Sequence, residues 1–125
     1  LIVLIGGKAE AEAAEHIVAR SGSNVINMVG KTNLQESALI IQNAERVITN
    51  DTGMMHIAAA LGKPIVSIWG GTLWEYGFWP FYSDGKNLNK SLEVKGLSCR
   101  PCSKFGRNDC PRKHFKCMKD LKIEL

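Results

Sequence analysis

The sequence predicts an α/β fold built on a parallel sheet, and two observations carry that reading. Four short apolar runs alternate with helix-length segments over the first 72 residues, which is the pattern of successive βαβ units. Each run also empties into a corner of small or hydroxyl residues: Gly6-Gly7, Gly30-Lys31-Thr32, Asp51-Thr52-Gly53 and Gly70-Gly71-Thr72. In open parallel sheets ligands bind at the carboxyl ends of the strands, so these four corners are where a site is expected.

Leu1-Ile2-Val3-Leu4-Ile5 is a continuous aliphatic run bounded by glycines, which predicts a strand buried on both faces. Gly6-Gly7 turns the chain into a helix over about Ala9 to Ser21, with Ala13, Ala14, Ile17 and Val18 as its apolar stripe and Gly22 as its stop. Val25 to Met28 is a second short strand, and 30–33 a loop. Leu34 to Ala44 reads as a helix with Leu34, Ala38, Leu39 and Ile41 inward. Arg46 to Asn50 is a third strand, Thr52 to Leu61 a helix, and Gly62-Lys63-Pro64 breaks it. Pro64 to Trp69 is the fourth strand. The segment from Leu73 to Tyr82 is aromatic and fits packing over the sheet better than a lid on a ligand. From Asp84 onward the chain is polar and short on periodicity.

The Asp51-Thr52-Gly53 corner has the chemistry to hold an anion. The first N–H groups of a helix have no partner inside it, and the macrodipole puts partial positive charge there. Gly53 lacks the Cβ that would keep a phosphate away. Asp51 or Thr52 can cap the helix, and Thr52 can offer a hydroxyl. His56 follows one turn later and can face the same mouth. The plainer alternative is an N-cap with a turn glycine, with His56 a wall residue.

Charge divides the chain. Up to residue 85, Lys8, Arg20, Lys31, Arg46 and Lys63 stand against eight acids; from Lys86 onward, eleven Lys or Arg stand against Glu93, Asp109, Asp120 and Glu124. Residues 1–85 therefore read as a ligand-binding core and 86–125 as a basic extension of the same domain. A basic tail can meet nucleic acid, anionic lipid or phosphorylated sugars, or can be a solvated face. No apolar run reaches the ~18 residues that span a bilayer. The start on an apolar strand, without Met or a polar lead, suggests a chain that begins inside a longer polypeptide.

All four cysteines lie in the extension, spaced C-x2-C-x7-C-x6-C at Cys99, Cys102, Cys110 and Cys117. The first pair has zinc-ligand spacing, but the second is wide for a ribbon or finger. Free thiols, a structural zinc on these four, and disulfides are the three readings. The rest of the chain looks cytoplasmic, which disfavours stable disulfides; free or redox-variable thiols are favoured, ahead of zinc, and no metal is assigned.

The run from Asn50 through His56 to Pro64, followed by Trp69-Gly70-Gly71-Thr72, resembles glycosyltransferase family 9, the ADP-heptose:lipopolysaccharide heptosyltransferases and their relatives. Gly6 to Glu10, Gly30 to Leu34 and the tail from Cys99 to Met118 are similar to that family as well. The resemblance implies a bacterial GT-B enzyme of lipopolysaccharide biosynthesis, with two Rossmann-like domains, this chain being most of the C-terminal donor-binding one. The donor domain's first strand and last helix, and the acceptor domain, are expected to lie outside it.

The resemblance also assigns roles. Asp51, Thr52 and Gly53 would bind the sugar and pyrophosphate, and His56 would face them. Glu10 would hold the ribose hydroxyls, Thr32 would lie beside the adenine, and Gly71 and Thr72 would line the cleft. Trp74 stands where the family commonly has a proline. The implied reaction is an inverting transfer of heptose or a related sugar from a nucleoside-diphosphate sugar to a glycolipid such as the lipopolysaccharide core. It implies no required cofactor and no evident catalytic base in this chain. The partners implied are the acceptor domain, the glycolipid and a peripheral inner-membrane contact from the cytoplasm, with no nucleic acid. A nucleotide-binding module without transfer, or a structural domain with a zinc-binding tail, are the alternatives.

Overall fold

Hydrogen bonding sorts the strands of the computed structural model, which describes residues 1–124, into two parallel groups. The chain likewise divides into two compact units, Leu1–Ile40 and the residues from Ile41 onward. Charge composition changes at residue 86, whereas contacts thin out between 40 and 41.

In the first unit β1 (Ile2–Leu4) pairs with β2 (Val25–Asn27), with Ile2 opposite Val25 and Leu4 opposite Asn27. The bonds from Met28 N–H to Leu4 O and from Gly30 N–H to Gly6 O, both 2.9 Å, carry the pairing past the strand ends. A single 3-10 turn (Lys8–Glu10) leads into α1 (Ala11–Ser21). Two expectations change here. β1 is not buried on both faces: Ile2 is 58% exposed, and Leu1 and Ile26 are exposed too, because a two-strand pair offers little cover within this unit. On α1 the covered seam is Ala11, Ala14 and Val18, the i, i+3, i+7 face, while Ala13 and Ile17 are exposed.

α2 (Leu34–Asn43) carries the chain from the first unit into the second. A reciprocal capping box fixes its start: Glu36 N–H donates to Asn33 Oδ1 at 2.9 Å and Asn33 N–H donates to Glu36 Oε2 at 2.8 Å. Ser37 and Ile41 are its buried positions. Leu34 and Leu39, expected inward, are 59% and 58% exposed, and Ala38 is half-buried.

In the second unit β3 (Val47–Asn50), β4 (Ile65–Trp69) and β5 (Asn89–Glu93) form one parallel sheet with β4 in the middle. Val47 lies opposite Ile65, and Trp69 opposite Glu93. The central strand buries Ile65, Val66, Ser67 and Trp69. The Trp69 indole donates to Ser67 Oγ at 2.9 Å, which satisfies its only polar group in the core.

α3 (Gly53–Ala60) connects β3 to β4 and buries Met55, Ala58 and Ala59. It ends in a Schellman motif, with Gly62 N–H to Ala59 O at 2.9 Å and Lys63 N–H to Ala58 O at 3.0 Å. Gly62 takes the left-handed φ of +66° that this motif needs.

The aromatic segment packs in part, with Tyr76 and Phe81 left exposed. Trp74 meets Trp79 edge-to-face at 4.9 Å, and buried Tyr82 donates to Lys63 O at 2.9 Å. The polar tail, for which no element was expected, contributes β5 and a short helix, α4 (Lys116–Lys119), whose Cys117 is buried. No helix among the described residues is long and apolar enough to cross a membrane.

Candidate functional site

β3 and β4 run parallel, so their carboxyl ends and the corners that follow them lie on one side of the sheet. At the β3–α3 corner Thr52 occupies the N-cap position with an extended backbone, φ −144° and ψ 166°, yet its side chain caps nothing. Its hydroxyl lies 3.2 Å from Thr49 Oγ1, which itself donates to Asn50 O at 3.0 Å. The expected cap by Thr52 is therefore absent, because a neighbouring threonine engages the hydroxyl instead. Asp51 does not cap either; it is half-buried and its carboxylate has no hydrogen bond or ion pair among the described residues. As a result the N–H groups of Gly53 and Met54 donate to no described residue. A Cβ placed on Gly53 would meet nothing within 4 Å. The start of α3 is a pair of bare amides beside open space, with the macrodipole behind them.

The β4 corner is bound into the tail. Cys102 N–H donates to Gly71 O at 2.9 Å. The Arg100 guanidinium donates through Nε to Gly70 O at 2.6 Å and through Nη2 to Thr72 O at 3.1 Å and Trp69 O at 3.5 Å. It also donates through Nη1 to Val94 O at 2.9 Å and pairs with Glu93 Oε2 at 3.0 Å. Gly70 and Gly71 admit the tail: a Cβ on Gly70 would come 3.0 Å from Met118 Sδ, and one on Gly71 3.4 Å from Cys102 Sγ. The smallness of these two residues thus serves packing against sulfur, where the sequence suggested close approach of a ligand.

Between these corners opens a cleft of about 400 Å³. Asp51, Gly71 and Thr72 line it from the sheet, and Phe105, Arg107 and Asp109 are among the tail residues that face them. Arg107 has no hydrogen bond or ion pair among the described residues. Thr52, Gly53 and His56 are exposed next to the cleft in sequence but do not line it, and His56 sits on α3 one turn past Gly53.

The two remaining expected residues belong to the first unit. Glu10 folds back over the first corner, so that a Cβ on Gly7 would lie 3.1 Å from its Oε2. Thr32 is half-buried and shares a 2.9 Å hydrogen bond with Ser37. The tail residues of the cleft and the Arg100 clamp were not anticipated as site components; the excess of Lys and Arg after residue 85 and the resemblance of the 99–118 stretch to the family were the signals of them.

All four cysteines are free thiols. Among the described residues no three His, Cys, Asp or Glu side chains gather to hold a metal, and Cys99 Sγ lies 3.8 Å from His114 Nε2. Lys113 and Phe115 adopt left-handed φ values of 58° and 52°, in a turn that brings the Phe115 N–H to Cys110 Sγ at 3.4 Å. That bond, helped by the N–H groups of Arg112, His114 and Lys113, pulls the Cys110 thiol below its ordinary range. Burial pushes the Cys117 thiol up, and the neighbouring thiols Cys102 and Cys110 add to the shift.

Residues 1–110 match glycosyltransferase family 9 (heptosyltransferase). The lipooligosaccharide heptosyltransferase 2 of Campylobacter jejuni is 34% identical over 99% of this chain, which spans 37% of that protein. The lipopolysaccharide heptosyltransferase 2 of Salmonella typhimurium is 36% identical over 55% of the chain and 21% of its own length. Among solved structures, the ADP-heptose lps heptosyltransferase II of E. coli superposes with a TM-score of 0.62 at 25% identity, covering 80% of this chain and 32% of that one. A glycosyl transferase family 9 structure from Veillonella parvula gives 0.66 at 26% identity, over 76% and 26%. The chain thus spans about a third of the curated relative it matches along almost its whole length. By the match across residues 1–110, this chain belongs to glycosyltransferase family 9, the heptosyltransferase family.

Proposed function

We propose that this chain is the donor-binding part of an inverting glycosyltransferase that moves heptose, or a related sugar, from a nucleoside-diphosphate sugar to a lipopolysaccharide core or similar glycolipid. The observation that carries the reading is the uncapped start of α3: two unpartnered amides, an open face at Gly53 and a cleft alongside. A diphosphate placed there meets fixed donors and the positive end of a helix.

In the transfer, an acceptor hydroxyl attacks the anomeric carbon and the bond to the nucleoside diphosphate breaks, so negative charge grows on the leaving oxygen. Amides already aimed at it stabilise that charge without reorganising. His56 stands where it can add a donor, Thr52 can do so by turning its hydroxyl from Thr49 Oγ1, and Asp51, with no partner among the described residues, is free to accept from sugar hydroxyls. Gly71 and Thr72 form the far wall. Glu10 would hold the ribose and Thr32 would flank the base.

This reading places the general base on the acceptor domain of the same protein. The helix dipole supplies the charge that Mg²⁺ supplies elsewhere, so turnover needs no metal. The basic tail suits an anionic glycolipid at a membrane face.

The test is a transfer assay on the complete polypeptide that contains this chain, with an ADP-sugar donor and a deacylated core acceptor, run with and without EDTA. Transfer with inversion that persists in EDTA supports the reading. ADP binding without transfer reduces the protein to a nucleotide-binding module, and transfer abolished by EDTA overturns the metal-free account. Isothermal titration of this chain alone with ADP is expected to give weak binding and no turnover.

A further inference from the structure

The C-x-x-C pair draws attention as a metal site, yet the first of the two residues between its cysteines makes the more consequential contacts. Arg100 carries a side chain only 5% exposed, and Glu93, its carboxylate partner, is 15% exposed. β4 ends at Trp69, and the next three residues form the corner that walls the cleft. All four carbonyls of this stretch are claimed by the tail. Trp69, Gly70 and Thr72 accept from Arg100, and Gly71 accepts from the Cys102 N–H. A fifth carbonyl, Val94, accepts from the same guanidinium just past the end of β5.

We propose that Arg100 is a positioning residue of the donor site, fixing the 69–72 corner and turning its carbonyl oxygens away from an anionic ligand; this rests on the donor-binding reading above. Two physical effects support it. First, a buried guanidinium that serves three carbonyls of one corner and two acceptors at the end of β5 ties the ends of two strands together. A lysine has three donors on a flexible point charge and cannot reproduce the fork. Second, a free carbonyl at the mouth of the cleft would present negative potential to a diphosphate. Bonded to a cation inside the protein, the same oxygens are neutralised, and the Glu93 carboxylate balances that cation out of contact with the ligand. Arg100 is not among the residues that line the cleft, so it acts through the corner.

The test is steady-state kinetics on the complete polypeptide carrying Arg100→Lys, assayed well below its melting temperature, with Gly53→Ala as a reference for the donor site. Arg100→Lys keeps the charge and loses the planar fork. Expected is a donor KM raised about tenfold, with the acceptor KM unchanged and a cooperative melt retained, since small misplacements of binding groups cost this much. A residue that serves stability alone would lower the melting temperature and leave both KM values unchanged, and that result overturns the proposal.

If Arg100→Lys does not fold, Glu93→Ala takes its place, because it deletes one of the two acceptors that hold the guanidinium at the end of β5 and lets it shift off the 69–72 corner. There the donor KM is expected to rise about threefold, and an unchanged donor KM is the refuting outcome. The two failures separate cleanly. If Gly53→Ala raises the donor KM and Arg100→Lys does not, Arg100 loses its role while the donor site stands. If neither variant moves the donor KM although transfer proceeds, the donor site itself is misplaced.

Discussion

Gly53→Ala isolates the contact between the start of α3 and the diphosphate from everything else Gly53 does. The added methyl meets no atom within 4 Å, and Gly53 is not among the residues with a left-handed backbone, so the folded protein accommodates it. Alanine is the better helix former, by up to about 1 kcal/mol in a helix interior and less at the first position. It also restricts the unfolded chain, a gain of about 0.4–1 kcal/mol where the native backbone is compatible. Stability should therefore hold or rise by up to about 1 kcal/mol, seen as a melting temperature unchanged or a few degrees higher.

The ligand sees the opposite. The new methyl stands where a phosphate oxygen must approach two bare amides. Losing one hydrogen bond to a charged group costs about 1.5–3 kcal/mol, which is roughly tenfold to a hundredfold in donor affinity. Donor titrations of initial rate on the complete polypeptide, and calorimetric titration of ADP into this chain, read that loss directly. A variant that melts at or above the parent temperature, with donor KM within about twofold of the parent, would show that the diphosphate does not rest on α3.

Asp51→Ala removes a half-buried carboxylate with no protein partner, so turnover in the transfer assay should fall about tenfold or more while the melting temperature stays within a few degrees. Equal losses of both would reduce Asp51 to a structural residue. Gly62→Ala forces a side chain into φ +66° with free space around it, so its effect is backbone strain alone: about 1 kcal/mol of stability by denaturant melt, with donor KM unchanged. Among the thiols, alkylation requires the thiolate. The lowered Cys110 thiol ionises at lower pH than an ordinary one and the raised Cys117 thiol at higher pH. Iodoacetamide labelling as pH rises should therefore modify Cys110 first and Cys117 last in peptide mass spectra; Cys117 ahead of Cys110 would contradict the fold of the 110–117 segment.

What the sequence made legible followed from backbone physics that repeats locally. An aliphatic run between glycines announces a strand, and Gly62-Lys63-Pro64 announces the end of a helix, because each signal is complete within a few residues. The β3–α3 corner was legible for the same reason. Burial was less so: Leu39 lies two positions from Ile41, on the opposite side of α2, and Leu34 shares the Ile41 face but sits in the first turn, where it stays exposed.

β5 escaped because Asn89-Lys90-Ser91-Leu92-Glu93 buries only Leu92, and an edge strand needs no apolar alternation when one flank pairs with β4. Arg100 escaped for a deeper reason. Its meaning lies in carbonyls about thirty positions back in the chain, and a carbonyl has no sequence identity. The same four-residue motif reads as a metal pair when only its cysteines are seen, and as a clamp when the acceptors come into view. The tail is then part of the site's architecture: β5 supplies Glu93, the C-x-x-C segment supplies the guanidinium and the Cys102 amide, and Gly70 and Gly71 stay small so that both can reach the corner. A cleft walled by that corner depends on the tail as much as on the strands that first suggested it.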